Sequence, residues 1–408
     1  MLSVLHAIAR LSPITQHDLA AETGLSRSTV AVVLSRLQQE GLIELVAPAT
    51  ADETVEGRSM LPLLLNAAAP AICVELGANH VAVGAGGPRG LLNDPLITDM
   101  DADATPLDLL NLATNQINLL LEHQLPDRSP EQLVGVCISV AAPLDQIRGQ
   151  VTPRGRMDAW IGLRPAHELQ HRLGNRWSQV PFMIENNANL DALAAIAHRR
   201  HRLDVKAYQD TVLLVRWGRG IGGAAVIDNK LVLGARGIAT EIGHTPLYRH
   251  PKDGERCVRC GHYCLDSRAS GKALTAKLAR ETDTEMTFNT LITRAVEKDE
   301  IERALLRTAA GEIGEVIGAY VSFLNPNLVV ISGYHFGEAS EHVDAYTVIA
   351  DPLRMGMRAT AFPPPLEDVE VSFGGQTRAA TLEGGVIAVL QRHLTPYFQR
   401  LLATPRDD

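Results

Sequence analysis

The sequence predicts an α/β protein in which an N-terminal winged helix-turn-helix precedes a body of two similar α/β lobes. Three observations carry this expectation. Residues 1–66 run through short amphipathic helices punctuated by turn residues and close on two short strands. Farther on, strand-like and helical segments follow one another twice in a similar order. A glycine-rich hairpin then leads into Glu241-Ile242-Gly243-His244 and a knot of cysteines at 257, 260 and 264.

With 408 residues, 46% of them hydrophobic, the chain can bury ordinary cores in about two or three domains. A formal net charge of −9 argues against a nonspecific nucleic-acid coat but leaves room for a small, specific DNA-reading module. Five cysteines, three of them clustered, suit a reducing cytoplasm better than a disulfide framework. No signal-peptide pattern and no apolar run of about eighteen residues is present, so neither secretion nor a membrane partner is expected.

Leu2, Leu5, Ile8 and Ala9 recur at helical spacing over 1–10. Thr15, followed three positions later by Asp18, marks a capped second helix through Glu22, and Gly24 makes the turn. Ser26 opens a third helix whose inward face is Val30, Val33, Leu34 and Leu37, with Gly41 closing it. Strands at 42–46 and 61–65 flank a polar loop at 48–58. In such a module the third helix enters the major groove with its first residues facing base edges. Those residues are Ser26, Arg27, Ser28 and Thr29, with Arg58 at the tip of the wing. Arginine reads guanine, while hydroxyls serve phosphates or bases. Residues 1–66 hold four Arg and no Lys against seven Asp plus Glu, so general attraction to DNA is modest. A three-helix protein-interaction domain is the competing reading.

A linker at 67–70 precedes strands at 71–76, 80–84 and 90–97, a helix at 107–123 and a buried strand at 133–140. A helix at 165–173, a strand at 181–184 and a helix at 189–200 follow. Glu185-Asn186-Asn187-Ala188-Asn189 lies at that strand's end. Three asparagines there exceed what a helix cap needs and suit a hydroxyl-rich ligand. Two such halves facing each other form a cleft lined by polar strand ends.

The second half restarts with a buried strand at 211–216, the turn Gly218-Arg219-Gly220-Ile221-Gly222-Gly223, and a returning strand at 224–227. Glycines at that density let another group approach the backbone closely. His244 with Cys257, Cys260 and Cys264 is the donor set of a closed, tetrahedral structural zinc site. The surrounding loop, with Lys252, Asp253, Glu255, Arg256 and Arg259, offers free thiols no apolar core. His250 and His262 remain alternative fourth ligands. A long helix carries Ile301, Leu305, Ile313, Ile317 and Leu324 on one face, and Gly311, Gly314 and Gly318 permit close packing against it. Asn325-Pro326 stops it, a core strand spans 328–332, and an amphipathic helix at 377–402 ends the pattern.

These residues resemble the ROK family (repressors, open reading frames, kinases), in its branch with a winged helix-turn-helix ahead of the body. The likeness rests on the glycine hairpin, Ala239-Thr240-Glu241-Ile242-Gly243-His244, the cysteine loop ending Cys264-Leu265-Asp266, and Leu324-Asn325-Pro326. It implies a two-lobed, actin-like ATPase (sugar-kinase-like) fold, a structural zinc held by His244, Cys257, Cys260 and Cys264, a sugar site between the lobes, and dimers or tetramers. By the same resemblance Asn186, Glu241 and His244 match sugar-binding positions; Asn187 can still hold a hydroxyl, and Asp266 stands where the family usually has Glu. The expected domains are 1–66, then a first lobe of 67–190 plus 377–408, then a second lobe of 191–376.

Departures from the family pattern separate regulator from kinase. Kinases of the family carry Asp-x-Gly-Gly-Thr-Lys where this chain has Glu75-Leu76-Gly77-Ala78-Asn79-His80. Their catalytic aspartate falls at Asn187, a neutral carboxamide that cannot take a proton from a sugar hydroxyl. Arg219 replaces a small hydroxyl residue, Tyr334 a glycine, and Ala141-Ala142 the usual Pro-Gly of the first-lobe sugar loop. Relative to the family, the middle cysteine lies one place later and Tyr263 replaces a glycine. The expectation is a cytoplasmic, sugar-responsive regulator without kinase activity, bound to operator DNA as a homodimer or homotetramer and acting as a repressor of carbohydrate uptake or catabolism genes. An atypical sugar kinase, and a regulator whose effector is a sugar-transport protein, are the alternatives.

Overall fold

The computed structural model describes residues 1–11, 14–46, 61–64, 69–77, 80–101, 104–152, 158–203, 211–228, 230–247, 256–297, 300–333, 343–375 and 378–403. Helices α1 (Leu2–Leu11), α2 (Gln16–Thr23) and α3 (Arg27–Gln39) form the head. Thr15 Oγ1 accepts the Asp18 N–H at 3.1 Å and donates to the Asp18 carboxylate at 2.7 Å, which starts α2. Ser26 does the same work for α3, accepting the Thr29 N–H at 3.1 Å. Gly24 ends α2 at a φ of 67° and Gly41 follows α3 at 66°, left-handed positions that favour glycine. Val4, Leu5, Ile8, Leu19, Val30, Leu34 and Leu37 make the buried core. Strand β1 (Ile43–Val46) pairs antiparallel with β2 (Leu61–Leu64). The expected wing tip at 48–58, Arg58 included, lies outside the described residues.

The chain divides into two compact units. The first comprises Met1–Val151, Ala159–Tyr208 and Ala379–Asp408; the second Thr152–Asp158 and Gln209–Arg378. In the first unit β3 (Ala71–Leu76), β4 (His80–Gly87), β5 (Gly90–Leu91), β6 (Leu96–Asp99) and β7 (Val136–Val140) precede a small hairpin of β8 (Leu144–Asp145) and β9 (Gln150–Val151), and β10 (Phe182–Asn186) completes the sheet. Its order is β10-β7-β3-β4-β5, with β6 also paired to β4. Helices α4 (Pro106–Gln124), α5 (Pro165–Leu173) and α6 (Asn187–Leu203) belong to this unit, as does nearly all of the C-terminal helix (Arg378–Ala403). Every residue of β3, β4 and β7 is buried, as expected of a sheet covered on both faces.

The strand expected at 90–97 divides into β5 and β6, because the chain turns between them and both segments pair with β4. The strand expected to stop at 184 runs to Asn186, and α6 begins at the next residue, so the asparagine window straddles a strand-to-helix junction. The lobe boundary expected at 190 falls inside α6, whereas the first unit continues to Tyr208. Gly384 of the C-terminal helix packs on α6 so closely that a Cβ there would lie 1.9 Å from the Leu190 carbonyl oxygen.

In the second unit β11 (Val212–Trp217), β12 (Ile221–Ile227), β13 (Lys230–Leu231), β14 (Leu328–Gly333) and β15 (Glu370–Gly375) form a sheet in the order β13-β12-β11-β14-β15. The hairpin turn is confined to 218–220, and Gly222 and Gly223 lie within β12. Helices α7 (Leu265–Ala269), α8 (Gly271–Thr282), α9 (Phe288–Val296), α10 (Glu300–Leu324), α11 (Val343–Thr360) and α12 (Pro363–Glu367) complete the unit. Ile313, Ile317 and Val321 of α10 are buried, but Ile301 is 53% exposed: it lies in the first turn, turned away from the core.

The expected glycine face of α10 meets α11. A Cβ on Gly314 would lie 2.0 Å from the Leu353 carbonyl oxygen and one on Gly318 2.5 Å from that of Met357, while one on Gly356 would lie 2.2 Å from that of Gly311. These are backbone atoms, which cannot rotate away. Gly314→Ala is therefore expected to destabilise the protein by about 1–3 kcal/mol despite alanine's better helix propensity, read as a lower urea midpoint; Gly261→Ala, whose Cβ meets nothing, serves as the comparison for a strained but open position.

Candidate functional site

In the second unit the turn carrying Glu241 and His244 lies against the glycine hairpin. A Cβ on Gly243 would lie 2.3 Å from the Ile221 carbonyl oxygen, and one on Gly223 2.5 Å from Ile242 Cγ2. The cysteine loop folds back onto the same turn: Leu247 N–H donates to Tyr263 O at 2.9 Å and Leu265 N–H to Thr245 O at 3.0 Å. Within the loop, Gly261 N–H donates to Cys257 O at 2.8 Å and Cys257 N–H to His262 O at 2.9 Å. Gly261 itself sits at a φ of 75°. That tight turn brings Cys260 to its partners although it lies one place later than the family spacing.

The ligand atoms of His244, Cys257, Cys260 and Cys264 all lie within 4.8 Å of one another, and the Cys257 and Cys264 sulfurs are each 3.7 Å from His244 Nδ1. A tetrahedral divalent ion with metal–sulfur and metal–nitrogen bonds of about 2.3 and 2.0 Å separates such donors by about 3.6 Å. The residues therefore fit a metal ion. His262 is exposed and outside the cluster; His250 lies outside the described residues. Burial pushes the Cys264 thiol up to about 12, with Cys257 and Cys260 adding to it. Burial is also the largest influence on Cys257, but the N–H groups of Cys260 and Arg259 together with hydrogen bonds to the Cys260 and Cys264 side chains outweigh it and hold that thiol below its usual range. A bound cation favours the thiolate at both.

The other expected ligand residues of this unit lie beside the cluster. Glu241 and His244 bracket the short helical turn Ile242–His244 and both are half-buried. With Nδ1 facing the sulfurs, His244 keeps Nε2 on the opposite edge of the ring. Asp266 follows Cys264 at the start of α7, and its Oδ1 accepts the Ile221 N–H at 2.8 Å. Asp266 is thus also a brace for the hairpin, a role the sequence reading did not assign.

In the first unit the asparagine window divides its work. Asn186 Oδ1 caps α6 by accepting the Ala188 N–H at 2.8 Å, and its Nδ2 donates to Ala142 O at 2.9 Å. Asn189 Nδ2 donates to the buried Glu185 at 2.7 Å. Glu185 also accepts from the Asn186 N–H at 2.8 Å and from Gln146 Nε2 at 2.6 Å. Burial raises the Glu185 pKa, and those three donors oppose the rise. Asn187 is the half-buried first residue of α6. Glu185 and Gln146 were not singled out in the sequence; the signal that could have found Glu185 is an acidic residue ending an apolar strand.

In the segment expected to match the first phosphate loop, one side chain folds back on the backbone. The His80 imidazole lies over Gly77, where a Cβ would fall 2.2 Å from His80 Cε1, and His80 Nε2 is 3.5 Å from the buried Glu75 carboxylate. Ala78, Asn79 and Tyr334 lie outside the described residues. Arg219 is exposed at the hairpin tip, its carbonyl accepting from the Lys272 N–H at 3.0 Å.

On the head, Ser26, Arg27, Ser28 and Thr29 are all exposed. Ser26 Oγ lies 2.8 Å from both Ser28 Oγ and Thr29 Oγ1, so one hydroxyl cluster marks the N-terminus of α3. Arg27 Nη2 lies 2.6 Å from His17 Nδ1 on α2. His17 was missed in the sequence, as was Val32, which is 70% exposed on α3.

Comparison with known proteins agrees with this arrangement. Residues 71–345 match the model of the ROK family, and residues 2–52 that of the MarR family. The xylose repressor of Bacillus subtilis (strain 168) is 24% identical over 340 residues, 80% of each chain. A crystal structure described as a ROK family transcriptional regulator, homolog of the E. coli MLC protein, superimposes with a TM-score of 0.73 over 99% of this chain and 98% of that one, at 18% identity. The ROK hexokinase of Thermus thermophilus superimposes with a TM-score of 0.60 over 82% of this chain and 100% of that one, at 20% identity. Both likenesses establish the fold.

Two outcomes are expected. Elemental analysis finds one tightly held divalent ion per chain, lost in Cys264→Ser, and chelation lowers Tm by several degrees, since metal held by the folded state alone stabilises it. Glu185 binds its proton more tightly folded than unfolded, so its contribution is present below the ordinary value of 4.5 and is lost as pH rises through the raised folded value. A Glu185→Gln variant removes that slope, measured as urea-unfolding free energy against pH.

Proposed function

The chain belongs to the ROK family, and from that premise we propose that it is a sugar-responsive, DNA-binding transcriptional regulator, a cytoplasmic repressor of carbohydrate uptake or catabolism genes. The observation that carries this reading is the coexistence of a winged helix presenting Ser26, Arg27, Ser28 and Thr29 with a ROK body whose first phosphate-loop segment is filled by His80. The same body has Asn187 where catalysis needs a carboxylate.

The ion is zinc in this reading, since three cysteines and one histidine suit it and close the coordination sphere against reaction. Its role is structural: it joins the cysteine loop to the turn and fixes the His244 ring. In this reading the sugar's hydroxyls donate to the Glu241 and Asp266 carboxylates and accept from His244 Nε2–H, and Asn186 and Asn187 are the further sugar-binding residues. Asn187 holds a hydroxyl but cannot accept its proton, so binding proceeds without phosphoryl transfer. The protein acts as a dimer or tetramer, whose symmetry gives two heads for two half-sites. Sugar lowers DNA affinity only by its differential affinity for the two states.

The Bacillus subtilis relative is named a xylose repressor, so pentoses lead the test panel beside hexoses and amino sugars. The protein is expected to bind its own upstream region saturably and selectively, and one sugar is expected to weaken that binding at least about tenfold, or about 1.4 kcal/mol. Anisotropy titrations read both, and a coupled assay reads ADP. Sugar-dependent ADP release that disappears in Asn187→Ala would overturn the reading in favour of a kinase.

A further inference from the structure

We propose that His17 is a specificity-determining positioning residue that holds Arg27 ready to read a guanine; this rests on the DNA-binding reading above. His17 is the second residue of α2 and Arg27 the first of α3. The tight turn at Gly24, with its φ of 67°, brings the two side chains together, and Arg27 Nη2 lies 2.6 Å from His17 Nδ1.

The chemistry of the pair assigns its protons. A guanidinium has only donors, so the imidazole must accept at Nδ1. In this pair the ring proton therefore sits on Nε2. A protonated His17 would present a donor and a like charge to Arg27, and the contact would be lost.

Both side chains are exposed, and the pair itself adds little to stability. Its value lies in geometry. A free arginine at the head of a recognition helix samples many rotamers and must be ordered on binding. With one Nη2 proton tied to His17, the remaining donors of the fork keep a fixed direction and can meet guanine O6 and N7 together. This counts for more here than in a strongly basic module. Residues 1–66 hold four Arg and no Lys against seven acidic residues, so pre-organised base contacts must carry a larger share of affinity than phosphate attraction does.

The test uses the full-length protein with a duplex that the wild type selects from a randomised pool. His17→Ala is expected to weaken binding about three- to tenfold and to flatten the preference at a single G·C pair, the same pair at which Arg27→Ala loses discrimination. His17→Gln is expected to restore that preference, because its amide oxygen accepts from Arg27. In an Arg27→Ala background, His17→Ala should leave base preference unchanged. Because the ring is neutral, the salt dependence of binding should not move. A His17→Ala protein with the wild-type preference, or whose loss persists without Arg27, overturns the proposal. So does a slope of log K against log salt that shrinks by about one, which would make His17 a charged phosphate ligand. Selection of no sequence by the wild type would instead sink the DNA-binding function itself.

Discussion

The contact on which the second unit depends is the meeting of two backbones at Gly223 and Gly243. A Cβ on Gly243 would lie 2.3 Å from the Ile221 carbonyl oxygen, and one on Gly223 2.5 Å from Ile242 Cγ2 and 2.7 Å from the Thr240 carbonyl oxygen, so the hairpin and the Glu-x-Gly-His turn approach more closely than a side chain at either position would allow. That approach sets where Glu241 and His244 stand. Asp266 then fastens the hairpin from the other side through the Ile221 N–H. The cysteine loop is tied to the same turn by backbone bonds at Leu247 and Leu265. Three segments, the hairpin, the Glu-x-Gly-His turn and the cysteine loop running into Asp266, thus meet in one small region, and the His244–cysteine cluster within it could hold a metal ion. Burial and the neighbouring thiols disfavour the thiolate at Cys264, and a cation there would reverse both effects.

The first unit answers a related demand differently. Its sheet is buried on both faces, so polar groups at the strand ends must find partners within the protein. Glu185 takes three donors, and Asn186 spends both ends of its amide on a cap and a loop. His80 packs over Gly77 beside Glu75. In a phosphate-binding loop that glycine would leave room for a ligand's approach; here the room is taken by the chain's own imidazole. Asn186 is thereby held at both ends of its amide, whereas Asn187 stands half-buried as the first residue of α6.

The head illustrates how a module with few cations can still be organised for reading bases. Caps at Thr15 and Ser26 fix the starts of α2 and α3, and the hydroxyls of Ser26, Ser28 and Thr29 hold one another in a cluster. Two polar ties join the head to the rest of the first unit, Arg89 with Glu44 and His6 Nδ1 with Thr395 Oγ1 at 2.9 Å. Exposed pairs of this kind contribute little to stability.

Much of this was legible in the sequence by itself because local chemistry decided it. Thr15-Asp18 and Ser26 announced helix starts, Gly24 and Gly41 their ends, and β-branched runs the core strands. Three cysteines in a polar loop beside His244 announced a metal, since thiols there have no other apolar use. The glycines of α10 announced close packing, though only the fold named α11 as the partner. What the sequence could not decide was which of several chemically similar groups would be consumed by structure. Asn186 and Asn187 are adjacent and identical in kind, yet the junction of β10 and α6 makes the first a cap and the second the opening residue of the helix. Asp266 looked like a ligand group and braces the hairpin; His80 stands at the expected lysine position and packs over Gly77. His17 gave no signal at all, because it meets Arg27 only across the α2–α3 turn. Such assignments depend on how the folded backbone directs each side chain, and that is settled by close packing, which periodicity and spacing do not encode.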